Sequence, residues 1–168
     1  MFKNRCLFVE KKEGFNVEAK SLLNDFKSNL RIDGLNNVRV INKYIIGEVS
    51  EEYYQKAIHT IFSELTVDTV YEEELPLKDG DIAFGVEYLP GHYDQRADSA
   101  SECFQLLTAE DRVDVKSSKV IILNGDLSTD ELEKIKKYYI NPVDSREVDI
   151  NNRELMSNTI FKYSGKNF

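Results

Sequence analysis

The chain has 168 residues, 41% apolar and 31% charged, with a formal net charge of −8. The apolar share is enough to fill a core and excludes a wholly disordered chain. The negative balance repels phosphate backbones and anionic membrane surfaces, so neither nucleic acid nor membrane is expected as a partner.

The start, Met1 to Arg5, is charged, and the apolar run behind it, Cys6 to Val9, is too short for a secretion signal or a membrane span. Cys6 and Cys103 are far apart and in no metal-type spacing. Both lie in apolar contexts, which predicts buried reduced thiols and a soluble cytoplasmic protein. Cys6 to Glu10 predicts a short strand. A turn at Gly14 leads to a helix expected over 17–30, with Val17, Leu22, Leu23, Phe26 and Leu30 on one apolar face and Asn16 as its cap. A strand rich in Val, Ile and Tyr is expected over 38–49. Ser50 opens a second helix that buries Tyr53, Tyr54, Ala57, Ile58 and Ile61, and a strand follows near 68–71. The run Glu72-Glu73-Glu74 reads as solvated and begins a linker that contains Pro76 and Gly80.

Beyond the linker the same order of elements returns. Ile82 to Leu89 predicts a strand, Pro90-Gly91 a turn, and Asp94 a helix cap. A strand is expected over 119–123, and the spacing Ser128-x-x-Glu131 predicts a capping box at the next helix start. Pro142 ends that helix, and a last strand is expected over 145–148. The stretch 151–168 is polar and without pattern, and is expected to be poorly ordered or weakly docked.

The recurrence extends to individual residues. Val9 and Val86, Glu10 and Glu87, and Gly14 and Gly91 are each 77 apart. An extra residue at His92 then shifts the spacing to 78, which Phe26 and Phe104, Ser50 and Ser128, and Lys56 and Lys134 share. Two copies of one strand-helix-strand-helix-strand unit are expected, packed about a pseudo-twofold axis. The units are 1–75 and 82–150, joined by a linker at 76–81 and followed by a tail at 151–168. Two sheets with helices on one face would give an α+β fold of ferredoxin-like character.

Catalytic chemistry is hard to assemble from these residues. His59 falls inside a predicted helix, where a packed or half-exposed role is expected, and no cysteine or serine is evidently placed to use His92. Neither Gly85 nor Gly91 builds a phosphate loop, and no His, Cys, Asp or Glu cluster has zinc or iron spacing. Most of the nine Tyr and nine Phe fall on helical and strand periods, which predicts core packing. No catalytic residue, metal ligand or cofactor is assigned to the chain.

One segment is dense in donors and acceptors. Pro90, Gly91, His92, Tyr93, Asp94, Gln95, Arg96, Asp98 and Ser99 span a strand end, a turn and a helix start. A cap with a local Asp-Arg pair accounts for part of it. The alternative is a polar interface or ligand-facing loop in which Arg96 grips a carboxylate or phosphate.

The run Leu89-Pro90-Gly91-His92-Tyr93-Asp94-Gln95-Arg96-Ala97-Asp98-Ser99-Ala100 resembles a signature of the N-terminal domain of large-form phosphoribosylformylglycinamidine synthase. Phe8 to Phe15 resembles that family's opening stretch, and Ile140 to Glu147 its closing one. The resemblance spans roughly residues 5–149. It implies an N-terminal assembly domain in an ATP- and glutamine-dependent ligase of purine biosynthesis, which converts formylglycinamide ribonucleotide to the amidine. In that family the domain resembles a fused dimer of a small subunit. Its implied partners are the synthetase and glutaminase domains, which it holds together for ammonia transfer, with a homodimer as a further candidate. ATP and magnesium belong to the full enzyme. The family commonly has glutamine where this chain has His92, and the synthetase and glutaminase regions lie outside these 168 residues. The alternative expectation is a metabolite-sensing module that binds a small anion between the repeats.

Overall fold

The structure is a computed structural model and describes residues 4–110 and 112–156. The first half of the chain forms β1 (Arg5–Lys11), α1 (Val17–Ser28), β2 (Leu35–Ile46), α2 (Glu51–Ala57), a π-helical turn (Ile58–Phe62) and β3 (Asp68–Glu72). The second half forms β4 (Asp81–Tyr88), α3 (Gln95–Thr108), β5 (Val115–Gly125), α4 (Thr129–Tyr139) and β6 (Ser145–Val148).

The fold is α+β, but the expected two sheets are one. Six strands lie in the order β3-β1-β2-β5-β4-β6, and every neighbouring pair is antiparallel. The join is the long pairing of β2 with β5, from Leu35 opposite Gly125 to Ile46 opposite Val115. β5 is longer than the 119–123 run expected for it, and β2 has the expected length but lies three residues earlier than 38–49. Their outer residues, such as Asn37 and Lys116, carry weak strand propensity and are held by cross-strand pairing.

Strand alternation sends Leu7, Val9, Val38, Tyr44, Ile46, Phe84, Val86, Ile121 and Leu123 to the face that the helices cover. This face holds two cores, and each mixes residues from both halves of the chain. In the first, β1, β2, α2 and the π-helical turn enclose Ala100 and Phe104 of α3. In the second, Phe84, Val86, Ile121, Leu123 and Ile135 enclose Phe26 of α1. The first helix of each half thus fills the other half's interior, and Phe26 and Phe104 are both fully buried.

Cap chemistry separates the helix starts. Ser128 and Glu131 form the reciprocal capping box. Ser50 accepts from the Tyr53 amide, and Asp94 from the Ala97 amide. Asn16 does not cap α1; its side chain turns back to the Gly14 amide and to Glu13. Val17, expected on the apolar face, is 73% exposed, because the buried stripe of α1 starts at Ala19.

The opposite face of the sheet carries Cys6, Phe8, Ile41, Ile45, Val120 and Ile122. Leu75, after β3, and Ile150 and Leu155, after β6, shield it. Residues 151–156, expected to dock weakly, are latched by hydrogen bonds. The Lys43 amine, 2% exposed, donates to the carbonyls of Ile150 and Asn152 at 2.7 and 2.6 Å. Burial pulls the pKa of Lys43 below the ordinary lysine value. Arg153 donates to Asn4 and Glu73, and Glu73 also accepts from the Cys6 amide, so this member of the acidic run has a structural role. The rest of the tail, 157–168, lies outside the described residues.

A candidate interface loop and a polar groove

The segment singled out in the sequence leaves β4 at Tyr88 and enters α3 at Gln95. The Leu89 amide donates to the Asp144 carbonyl, and the His92 amide closes the turn onto Leu89. Gly91 sits at φ +90°, with no atom within 4 Å of where a Cβ would stand. The restriction there is conformational rather than steric crowding by neighbours. Gly91→Ala should therefore cost about 1 kcal/mol, and a melting temperature lowered by roughly 2–4 °C would register it. An unchanged melting temperature would contradict that assignment.

Three of the polar residues are committed to the fold. Asp94 accepts from the Ala97 amide with Oδ1, from the Ser117 amide with Oδ2, and from the Ser117 hydroxyl with Oδ1 at 2.6 Å. One carboxylate thus caps α3 and fastens it to β5. Asp98 accepts from the Tyr93 hydroxyl and from Arg112, whose guanidinium also reaches the Asp98 carbonyl. The Arg112 bond, followed by that of Tyr93, holds the Asp98 carboxyl below its ordinary pKa. The same bond, seen from Tyr93, pushes the phenol up. The local Asp-Arg pair therefore uses Arg112, from the chain that enters β5, and not Arg96.

The other members of the segment remain available. His92, Gln95, Arg96 and Ser99 are exposed, and their side chains make no hydrogen bond or ion pair among the described residues. Tyr93 is 68% exposed despite its bond to Asp98. Pro90 is half-buried and lines a hollow with Val115, Lys116, Ser117 and Leu155. His59 lies on the exposed side of the π-helical turn and shares a hydrogen bond with Ser63. Cys6 is buried, and burial pushes its thiol up. Cys103, expected to be buried, is exposed: Ala97, Ala100, Ser101 and Phe104 take the inner face of α3 and leave position 103 outside.

A groove of about 540 Å³ lies over β1 and β2 beside the start of α1, and Arg96 of α3 reaches it from the second half. The sheet contributes Val9, Val38, Val40 and Tyr44 to it together with the polar Lys11 and Asn42. Asn42 lies opposite Lys119 in the central strand pair and Tyr44 opposite Ser117, and Ser117 and Lys119 line an adjoining hollow. Asn16 and, in α1, Glu18 and Ala19 line the groove, together with Arg96 of α3. Lys119 donates to both oxygens of Glu18 at 2.9 Å. The carboxamide oxygen of Asn42 is sealed from solvent and has no hydrogen-bond partner. Arg96 also lines the two adjoining hollows, one toward Phe62 and Cys103 and the other toward Tyr88 and Tyr139.

Sequence reasoning missed Asn42 and Ser117. Asn42 sits in a strand run whose apolar residues dominate the pattern, and Ser117 lies in the polar stretch Lys116 to Ser118 ahead of the 119–123 run that announces β5. Among the described residues no group of three or more His, Cys, Asp and Glu could hold a metal ion, and no helix is long and apolar enough to cross a membrane. No protein-family model matches the chain, and no curated protein matches it either.

Proposed function

We propose that the chain is an assembly module without chemistry of its own, the N-terminal domain of a phosphoribosylformylglycinamidine synthase that docks synthetase and glutaminase parts for ammonia transfer. The observation that carries this is how the signature-like segment uses its side chains. Asp94 and Asp98 build the loop, whereas His92, Gln95, Arg96 and Ser99 are exposed with no partner among the described residues. Preformed backbone with unbonded polar groups and an exposed tyrosine suits a protein partner.

Duplication of one unit is part of the same proposal, and the sheet supports it. The strand order is unchanged when β1, β2 and β3 are exchanged for β4, β5 and β6. Asn42 and Lys119 are 77 apart and lie opposite each other, where a twofold axis would pass. Tyr44 and Ile121, and Ile45 and Leu123's neighbour Ile122, share faces at that same spacing of 77. A spacing of 78 would turn the strands over; it fits the caps Ser50 and Ser128 instead. Glu10 with Arg39 and Glu87 with Lys116 are ion pairs at positions 77 apart.

The test is co-purification of the folded chain with the synthetase and glutaminase parts of this enzyme from the same cells. Capture is expected, with a double variant His92→Ala and Tyr93→Ala weakening it at least about tenfold, as loss of a central contact does. No capture, with circular dichroism showing a folded chain, would sink the proposal.

A further inference from the structure

We propose that the hollow between α3 and the π-helical turn is a binding site for a small monocarboxylate with an apolar body, its carboxylate received by Arg96. The proposal is independent of the assembly role.

Charge sets the sign of the ligand. The hollow has a volume of about 400 Å³, within the usual range of small-molecule sites. Arg96 is the only charged group among the described residues that line it. That guanidinium has no hydrogen bond or ion pair among the described residues. The carboxylates of the neighbouring groove are committed elsewhere: Glu10 pairs with Arg39, Glu13 with Lys20, Glu18 with Lys119 and Asp68 with Lys11. One uncompensated cation suits one negative charge, whereas a doubly charged phosphate would meet no second cation in the hollow.

The uncharged lining sets the rest of its chemistry. Gln95 and Ser99 stand beside Arg96 on one face of α3, and both are exposed without a side-chain hydrogen bond among the described residues. A guanidinium fork takes both oxygens of a carboxylate, and the Gln95 carboxamide and the Ser99 hydroxyl supply donors for the lone pairs that remain. The other wall is Ile61 and Phe62 of the π-helical turn, with Tyr44 of β2. The part of the ligand that meets this wall is therefore apolar.

Both walls lie where the two halves of the chain differ. Ser50 and Ser128 cap their helices 78 apart, but Asp68 and Ser145 open β3 and β6 only 77 apart. The first half thus holds one residue more between helix start and strand. The π-helical turn takes it up, because its hydrogen bonds reach one residue further than those of an α-helix. Such turns occur frequently at functional sites. On the other wall, the extra residue at His92 precedes α3. Leu22 of α1 packs against the second core, whereas Ala100, 78 positions later, lines the hollow with no more than a methyl group.

The experiment is calorimetry of the full chain with 4-methylpentanoate and with phenylacetate up to about 10 mM, a concentration where even a site of millimolar affinity fills. Acetate, benzyl alcohol and inorganic phosphate probe the carboxylate alone, the apolar body alone and the competing anion. At least one of the two acids should bind, and the three probes should bind at least about tenfold more weakly. Cys103 lines the hollow and is exposed, which gives a readout without any variant. At ten times its Kd the bound acid should slow alkylation of Cys103 by iodoacetamide about tenfold, because only unoccupied sites react. Arg96→Ala should weaken binding by at least about tenfold and Arg96→Lys by less, because lysine keeps the charge but not the fork. Ser99→Tyr, at an exposed helix position, should obstruct the hollow and weaken binding as well. Circular dichroism should show both variants folded. Neither acid binding to the folded chain, phosphate binding as tightly as either acid, affinity untouched in Arg96→Ala, or alkylation of Cys103 unslowed by the bound acid would each overturn the proposal. Co-purification with the synthetase parts, probed through His92 and Tyr93, reports on the assembly role separately.

Discussion

Phe104→Ala should destabilise the protein by about 3–5 kcal/mol, the usual cost of emptying a phenylalanine site in a packed interior. Phe104 is fully buried, and its ring centroid lies 5.8 Å from that of Phe62, which in turn lies 4.7 Å from Tyr44. The partners come from the first half of the chain and Phe104 from the second, so the cavity would open in a core that both halves share. Phe26→Ala should cost a similar amount through the other core, where Phe26 meets Ile135 and, edge-on, Tyr138. The two sites share no cluster, so the double variant should show nearly additive losses. Urea denaturation measures all three. A loss below about 1 kcal/mol for either single variant would mean that the helix does not seat where the structure places it.

Glu87→Ala should cost about 3 kcal/mol, and the corresponding change at Glu10 only about 1 kcal/mol. The two carboxylates face the same side of the sheet and both hold cations, but their surroundings differ. The Glu87 side chain is 3% exposed and accepts from Lys116 and Arg146, each at 2.7 Å. Its removal strands the partly buried Lys116 without its counter-charge and takes the Glu87 contacts from Arg146. Glu10 is 17% exposed and binds Arg39 with both oxygens, at 2.7 and 2.8 Å, where water can take over. Molar salt should shrink the Glu10 effect more than the Glu87 effect, because screening acts mainly on charges that solvent can reach. Equal losses at the two positions, by urea denaturation at low and high salt, would contradict this ranking.

Local chemistry made much of the fold legible in the sequence. The Ser128–Glu131 box, the Asp94 cap and the positive φ of Gly91 depend on residues within a few positions of one another, and each is where its spacing places it. The strand at Ser145–Val148 and the end of α4 before Pro142 follow equally local rules. What distance decides was hidden. Asn16 and Asp94 look alike as caps, but Asp94 also has Ser117 to brace it, whereas Asn16 bonds within its own turn. Nothing in the periodicity of α1 or α3 says which half of the sheet each will cover, because an apolar stripe fits either. The single sheet was equally invisible: the register of β2 on β5 joins residues about eighty positions apart. For the candidate site, the dense polar segment was visible, but its division into built-in and free groups was not. That division depends on Arg112, which reaches Asp98 from fourteen positions away. Asn42 in the groove and Ser117 in the adjoining hollow were missed altogether, since they matter only through what faces them across strands.

The exchange of α1 and α3 has a consequence for how such a chain can change over generations. Each half supplies the helix that completes its neighbour's interior. A recombination event within the connecting segment between Glu72 and Asp81 would therefore yield two hollow fragments instead of two portable modules. Substitutions along either helix are judged against a surface encoded on the other side of that segment. The heritable unit is the interlocked pair, and its two parts must drift together or not at all.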